Sequence, residues 1–340
     1  MSSTQVVLGI DIGGTNTVFG LVDEKGKCYL KNQIPTEAQL SADFLFSRLF
    51  DSFNAEYEPI QADFELVGIG LGAPSANIFK GTIENPSNFN WGYVDVVNLI
   101  GKYYALPVLV TNDANIAAVG EMMYGAAQNI NNFILITLGT GLGSGIVVDG
   151  NIVYGKDGFA GEIGHTIIEE NGRSCNCGRK GCLETYVSAS GICRTVFELL
   201  SSYNDDSVFR GYSFNSLTSK HIQQAALDGD KIANLAFEIT GAKLGLALAN
   251  SVAHLSPEAI ILFGGLALSG DLIINPTKIH LEKNLLPIYK GTVKILSSSL
   301  MESENAAILG AAALIWKEIN KNEIIPEVVE NIGIKNNKYH

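Results

Sequence analysis

One pattern occurs twice in this chain and constrains its fold more than any other feature. "VVLGIDIGGTNTVFGLVDEKG", Val6 to Gly26, reads as apolar strand, Gly/Thr turn, apolar strand and polar hairpin turn. "NFILITLGTGLGSGIVVDGNIVYG", Asn132 to Gly155, repeats that grammar, with "DG" as its hairpin turn. Short β-branched and aromatic runs punctuated by glycine and Asp-Gly read as strands joined by tight turns. One supersecondary unit recurring far along the chain predicts two structurally similar halves, each presenting a Gly/Thr loop to a common cleft. A length of 340 residues fits about two domains.

Length and apolar spacing predict further strands at Phe64–Gly72, Val108–Asp113 and Ala259–Gly264. They predict helices at Ala42–Glu56, Val94–Tyr104, Asn115–Met123, Thr185–Ser201, Asp230–His254 and Ser303–Asn320. Ser202–Ser219 is polar and reads as a loop, and the tail from Lys321 is mostly polar. A composition of 46% hydrophobic and 17% charged residues supplies ample core.

The formal charge is −12 and no Lys/Arg run is present, which argues against nucleic acid and against an anionic membrane surface as partners. Acidity does not count against ATP, because phosphates are gripped locally by backbone N–H groups and a metal. The N-terminus lacks a basic segment followed by an apolar one, and no uncharged apolar run reaches the ~18–20 residues of a membrane span. Five cysteines, three of them clustered, fit a reducing compartment and a metal site better than a disulfide framework. The expected location is the cytoplasm.

Four constellations carry chemistry. In "DIGGT", Asp11 to Thr15, adjacent glycines let backbone amides approach phosphate, and a carboxylate at a strand end can hold Mg²⁺. Alone it reads equally well as a tight hairpin turn; its counterpart "LGTGLGSG", Leu138 to Gly145, in the same strand–turn–strand context favours phosphate. In "VLVTNDANIAA" a strand ends at Asn112–Asp113 and a helix follows at once, so Asp113 is either a helix cap or a base at the carboxyl end of a strand. In "GHTIIEENGRSCNCGRKGCLETY", Cys175, Cys177 and Cys182 give C-x-C-x4-C, with His165 ten positions before the first. Three cysteines and a histidine complete a tetrahedral Zn²⁺ shell, and a shell closed by four ligands is structural. Such a knot would anchor Glu162 and Glu184, carboxylates suited to vicinal sugar hydroxyls but equally at home on a surface. "AIILFGGLALSGD" runs an apolar strand into Gly264–Gly265, which fits a nucleotide contact or a plain strand-to-helix turn.

The order "DIGGT … NDAN … LGTGLGSG … GEIGH … CNCGRKGCLE … FGG" resembles the ROK family, a group of bacterial sugar kinases, open reading frames and repressors, from about Val6 to about Lys317. The resemblance implies an α/β fold of two ribonuclease-H-like domains, as in actin-like ATPases, with a ligand cleft between them. It implies a first domain at 1–115 plus 303–323, a second at 116–302, and a polar tail at 324–340. It implies ATP-dependent phosphorylation of a hexose at its 6-hydroxyl, with Mg²⁺ and a structural Zn²⁺, in a glucokinase-like homodimer or homotetramer. Asp113 then resembles the catalytic base, and Asn112, Glu162, His165 and Glu184 resemble the sugar-binding set. His165, Cys175, Cys177 and Cys182 resemble the zinc ligands. Asp11, Gly13, Gly14 and Thr15 resemble the first phosphate loop, Thr140, Gly141 and Gly143 the second, and Gly264 and Gly265 the nucleotide-side turn. "GTIENPSNFNW" resembles glucokinase-like members and offers Asn88 to the sugar.

Two departures stand out: Asn16 where the family often has lysine, and "GAPSAN" with Ser75 where glycine is common. The alternatives are an N-acetylmannosamine or N-acetylglucosamine kinase, and a sugar-responsive repressor. The repressor reading is disfavoured by the net charge, by the presence of Asp113 and by the early position of "DIGGT", which leaves no room for a DNA-binding helix-turn-helix.

Overall fold

A computed structural model of the chain describes residues 3–86, 89–301, 303 and 305–320. β1 (Thr4–Ile12), β2 (Asn16–Val22) and β3 (Cys28–Pro35) lead into α1 (Ala42–Tyr57) and β4 (Phe64–Gly72). The short strands β5 (Ala76–Asn77), β6 (Thr82–Glu84) and β7 (Tyr93–Asp95) follow, then α2 (Val96–Gly101), β8 (Val108–Thr111) and α3 (Asp113–Tyr124). The theme restarts with β9 (Phe133–Leu138), β10 (Leu142–Val148) and β11 (Asn151–Ile152), then α4 (Ala189–Ser202), α5 (Ser219–Leu227) and α6 (Lys231–Leu255). β12 (Ala259–Phe263), α7 (Asp271–Asn284), β13 (Lys294–Ser297) and α8 (Ala306–Asn320) complete it.

The predicted duplication is present in the sheet topology. One sheet runs β3-β2-β1-β4-β8 and the other β11-β10-β9-β12-β13. In each, the first three strands are antiparallel and the last two join in parallel. Both halves are therefore ribonuclease-H-like α/β units, and each encloses its own apolar core. Parallel pairing aligns strand ends: Asp11 of β1 is in register with Gly72 of β4, which is in register with Thr111 of β8. α6 is long and apolar enough by composition to cross a membrane, but Phe237, Leu244, Leu248 and Val252 lie in the core of its unit.

Glycine lets α8 lie directly on the first sheet. A Cβ at Gly9 would sit 2.4 Å from the carbonyl oxygen of Ile308, and one at Gly70 only 1.9 Å from that of Ala311. The alanine-rich face of α8 thus meets bare backbone.

Within the described residues one compact unit comprises 3–128, 154–160 and 303–320, and the other 129–153 and 161–301. This differs from the expected boundary at 115. α3 belongs wholly to the first unit because it packs on α8, where a Cβ at Gly310 would meet the Ile116 carbonyl at 2.6 Å. Residues 154–160 return to it: Asn77 Nδ2 donates to the Asp157 carbonyl at 2.9 Å, and Tyr154 packs edge-on against Phe79. The tail expected at 324–340 and the residue Asn88 lie outside the described residues.

Candidate active site and metal centre

In the first unit, Asp11 is the next-to-last residue of β1, and the chain turns through Gly13, Gly14 and Thr15 into β2. The Gly13 N–H closes the turn on the Asn16 carbonyl at 3.0 Å. Thr36 braces it from β3's end, its hydroxyl donating to Gly13 O at 2.7 Å and its N–H to Thr15 O at 2.8 Å. Gly14 and Thr15 remain exposed at the tip.

Asp113 opens α3 two residues beyond Thr111, at the carboxyl edge of the parallel strands, where α/β sheets place their sites. One oxygen accepts the Ala114 N–H at 2.8 Å. Capping of α3 falls to Asn112, whose side-chain oxygen accepts the Asn115 N–H at 2.7 Å. Its NH₂ group is then the end that can donate to a ligand. Asp113 is accessible to solvent, yet the protein mass around it strips hydration and holds its carboxyl above the ordinary aspartate range. Because water still reaches it, the group keeps a path for proton exchange. Asp11 is pushed up to about 7, first by burial and then by repulsion from Asp113. Gly72 makes this neighbourhood possible: a Cβ there would lie 2.2 Å from Ile116 Cδ1 and 3.1 Å from Asp11 Oδ1. Two carboxylates that raise each other's energy suit a divalent cation, and Asp11 is the one set against the glycine turn. The donor set therefore fits Mg²⁺.

In the second unit the β9–β10 turn is its counterpart. Gly139 N–H bonds to Gly141 O at 3.0 Å, with Thr140 exposed between them. Gly143 lies inside β10 and donates its N–H to Thr137 Oγ1 at 3.0 Å, so that amide is committed to the sheet. Gly264 adopts φ +99°, and a Cβ there would meet the Leu138 carbonyl at 2.9 Å. This left-handed turn brings the end of β12 against the end of β9. Where a Cβ would stand at Gly14, Gly139 or Gly265, the protein offers no atom within 4 Å, and none of the three has a positive φ. Neither packing nor a positive φ requires glycine at these three positions, and the bare backbone there is open to close approach.

The cysteine loop gathers as its spacing predicts. The ligand atoms of His165, Cys175, Cys177 and Cys182 all lie within 4.8 Å of one another. With Zn–S about 2.3 Å and Zn–N about 2.0–2.1 Å, a tetrahedral shell has edges of about 3.8 Å between sulfurs and about 3.6 Å from sulfur to nitrogen. Cys177 Sγ to Cys182 Sγ is 3.6 Å, and Cys175 Sγ to His165 Nδ1 is 3.7 Å. The four residues fit zinc. Arg179 beside Cys177 draws that thiol down to about 6, toward the thiolate a metal needs. Nδ1 of His165 faces the sulfurs, while Nε2 faces Glu162 Oε2 at 3.9 Å. Glu162 is exposed on the single 3₁₀ turn Ile163–His165 that it precedes, and Glu184 is half-buried on the turn Leu183–Thr185.

Two sets of residues escaped the sequence reading. Arg173, inside the cysteine loop, has a buried guanidinium that bonds to the carbonyls of Thr185 at 2.7 Å and Gly191 at 3.1 Å, and to Glu198 Oε1 at 2.9 Å. It also stacks over the Tyr186 ring, 4.4 Å from the centroid. Beneath Asp113, Asn115 bonds Thr111 Oγ1 at 3.1 Å, and Thr111 also holds the Tyr154 hydroxyl. The only sequence signal for this second group was the second asparagine of "NDAN".

Twin ribonuclease-H-like units, each carrying a glycine turn at its strand ends, define the class of actin-like ATPases. The chain belongs to the ROK family, which it matches over residues 7–318. It is 36% identical over 320 residues to a glucokinase of Halalkalibacterium halodurans, covering 93% of this chain and 96% of that one. A ROK-family glucokinase from Streptomyces griseus, solved with glucose and AMPPNP, superposes with a TM-score of 0.74 at 29% identity, covering 91% of this chain and 98% of that one. A ROK-family transcriptional regulator homologous to the E. coli MLC protein superposes with a TM-score of 0.85 at 26% identity, covering 96% of this chain and 81% of that one.

Proposed function

We propose that this protein transfers the γ-phosphoryl group of ATP to the 6-hydroxyl of a hexose, with glucose as the preferred acceptor. The observation that carries the reading is Asp113, an accessible carboxylate at the strand ends whose basicity is raised by its surroundings. The glucokinase relatives supply the sugar. Asp113 takes the hydroxyl proton as the sugar O6 forms its bond to phosphorus and the bond to the ADP oxygen breaks. The backbone at Gly14–Thr15 and Thr140–Gly141 offers N–H groups to the phosphates, placed before the reaction begins. Mg²⁺, held by Asp11, supplies positive charge to the phosphate oxygens when bound. Asn112, Glu162, His165 and Glu184 orient the sugar ring, and zinc on His165, Cys175, Cys177 and Cys182 would fix the turns that carry Glu162, His165 and Glu184.

Turnover measured with MgATP against glucose, mannose, fructose, N-acetylglucosamine and N-acetylmannosamine tests the substrate. Activity confined to an N-acetyl sugar would keep the chemistry and move the acceptor; no turnover with any of the five would overturn the kinase reading. Asp113→Asn is expected to lower kcat by about 10²- to 10⁴-fold, with glucose affinity kept within a few-fold. Full activity in that variant would remove Asp113 from the base role.

A further inference from the structure

The zinc knot and the second glycine turn are joined, and the joint is Glu184. Its Oε2 accepts the Leu142 N–H at 2.9 Å. The same oxygen would lie 2.3 Å from a Cβ at Gly141, whose φ is not positive, so a side chain at 141 would push this carboxylate from its place. Its other oxygen lies 3.9 Å from Cys175 Sγ. Cys182, another proposed ligand, immediately precedes the 3₁₀ turn that carries Glu184, and its carbonyl accepts the Thr185 N–H at 3.0 Å. Two more ties follow along the chain: Ala189 N–H donates to Gly139 O at 2.8 Å, and Ser190 Oγ to Thr140 O at 3.0 Å. The segment after the knot therefore holds the turn at residues 139, 140 and 142, flanking every amide the turn offers to phosphate.

We propose that Glu184 is a positioning residue for the β9–β10 turn, so that the Cys/His knot sets nucleotide affinity as well as sugar affinity. The proposal rests on the kinase reading above. A carboxylate has about four lone-pair sites, so one bond to Leu142 leaves room for a sugar hydroxyl. Ser190 acts at the same turn without touching the metal or the sugar set.

The discriminating measurement is AMPPNP binding by calorimetry with Mg²⁺ and without sugar, on protein purified with its metal, together with separate KM values for ATP and glucose. Glu184→Ala should weaken sugar-free AMPPNP binding tenfold or more. Glu184→Gln, whose carbonyl oxygen can still accept from Leu142, should bind AMPPNP within about threefold of the parent while raising the KM for glucose. Ser190→Ala should raise the KM for ATP about threefold, leaving the KM for glucose and the zinc content unchanged. Zinc content and circular dichroism identify a variant that has lost its knot, in which case Ser190→Ala carries the test. Unchanged AMPPNP affinity in a metal-replete Glu184→Ala, or an unchanged KM for ATP in Ser190→Ala, would overturn the proposal. A parent protein that neither binds AMPPNP nor turns over sugar would instead remove the kinase reading, and this proposal with it.

Discussion

Asp11 carries a stability penalty along with its role. Its carboxyl titrates at 3.8 when unperturbed and at about 7 in the fold, so the folded state holds its proton more tightly than the unfolded chain does. Stability from this group is fully present below about pH 4 and is lost as pH rises toward 7. The displacement corresponds to at most about 4 kcal/mol. Asp11→Asn should therefore raise the melting temperature of the metal-free protein at pH 8, leave it nearly unchanged at pH 4, and lower activity. An equal shift at both pH values would show that Asp11 is not a strained carboxylate. At this scale the sequence was informative where chemistry is local: a C-x-C-x4-C spacing with an upstream histidine is enough to mark four side chains whose ligand atoms the fold gathers. It was silent where one side chain has two duties. Asp113 reads as a base or a cap and Asn112 resembles a sugar contact, and the fold assigns the cap to the Asn112 oxygen. Gly141 reads as a phosphate-facing glycine, and the fold also sets the Glu184 carboxylate where its Cβ would stand.

Among the elements, the strands bearing the duplicated turns were legible because alternation, length and glycine punctuation are properties of the segment itself. β4 falls where it was expected, at Phe64–Gly72. α5 and α7 were not foreseen. α5 is short and largely polar, and α7 contains Pro276, which ordinarily breaks a helix by removing an N–H. Tertiary packing overrides that preference: Pro276 seats against Gly241 of α6, where a Cβ would come within 2.7 Å of the proline ring. The cysteine loop depends on a similar distant anchor. Arg173 ties it to α4, and removing the guanidinium takes its donor from the Thr185 carbonyl in a buried place and leaves Gly191 O to Thr195 Oγ1. Arg173→Ala should cost about 2–4 kcal/mol in denaturant unfolding and accelerate zinc loss to a chelator. Wild-type zinc retention in that variant would show that the knot holds itself without α4.

On the scale of the whole molecule, α8 comes from the end of the chain to lie on a sheet formed at its beginning, through a contact that only glycine allows. Gly70→Ala would drive a methyl into the Ala311 carbonyl, whose backbone cannot swing aside as a side chain would. It should destabilise the protein by about 1–3 kcal/mol or more, measured by thermal melting; a neutral result would mean that α8 shifts freely on the sheet. The sequence alone determined the duplicated strand–turn–strand frame, the Cys/His cluster and the aspartate just past β8, because each is written in neighbouring residues. Tertiary structure decided which half α3 and residues 154–160 join, what Arg173 grips and what stands against Gly141. Those outcomes depend on backbone and side chains that meet from distant points of the chain, and such a meeting leaves no periodicity or spacing to read.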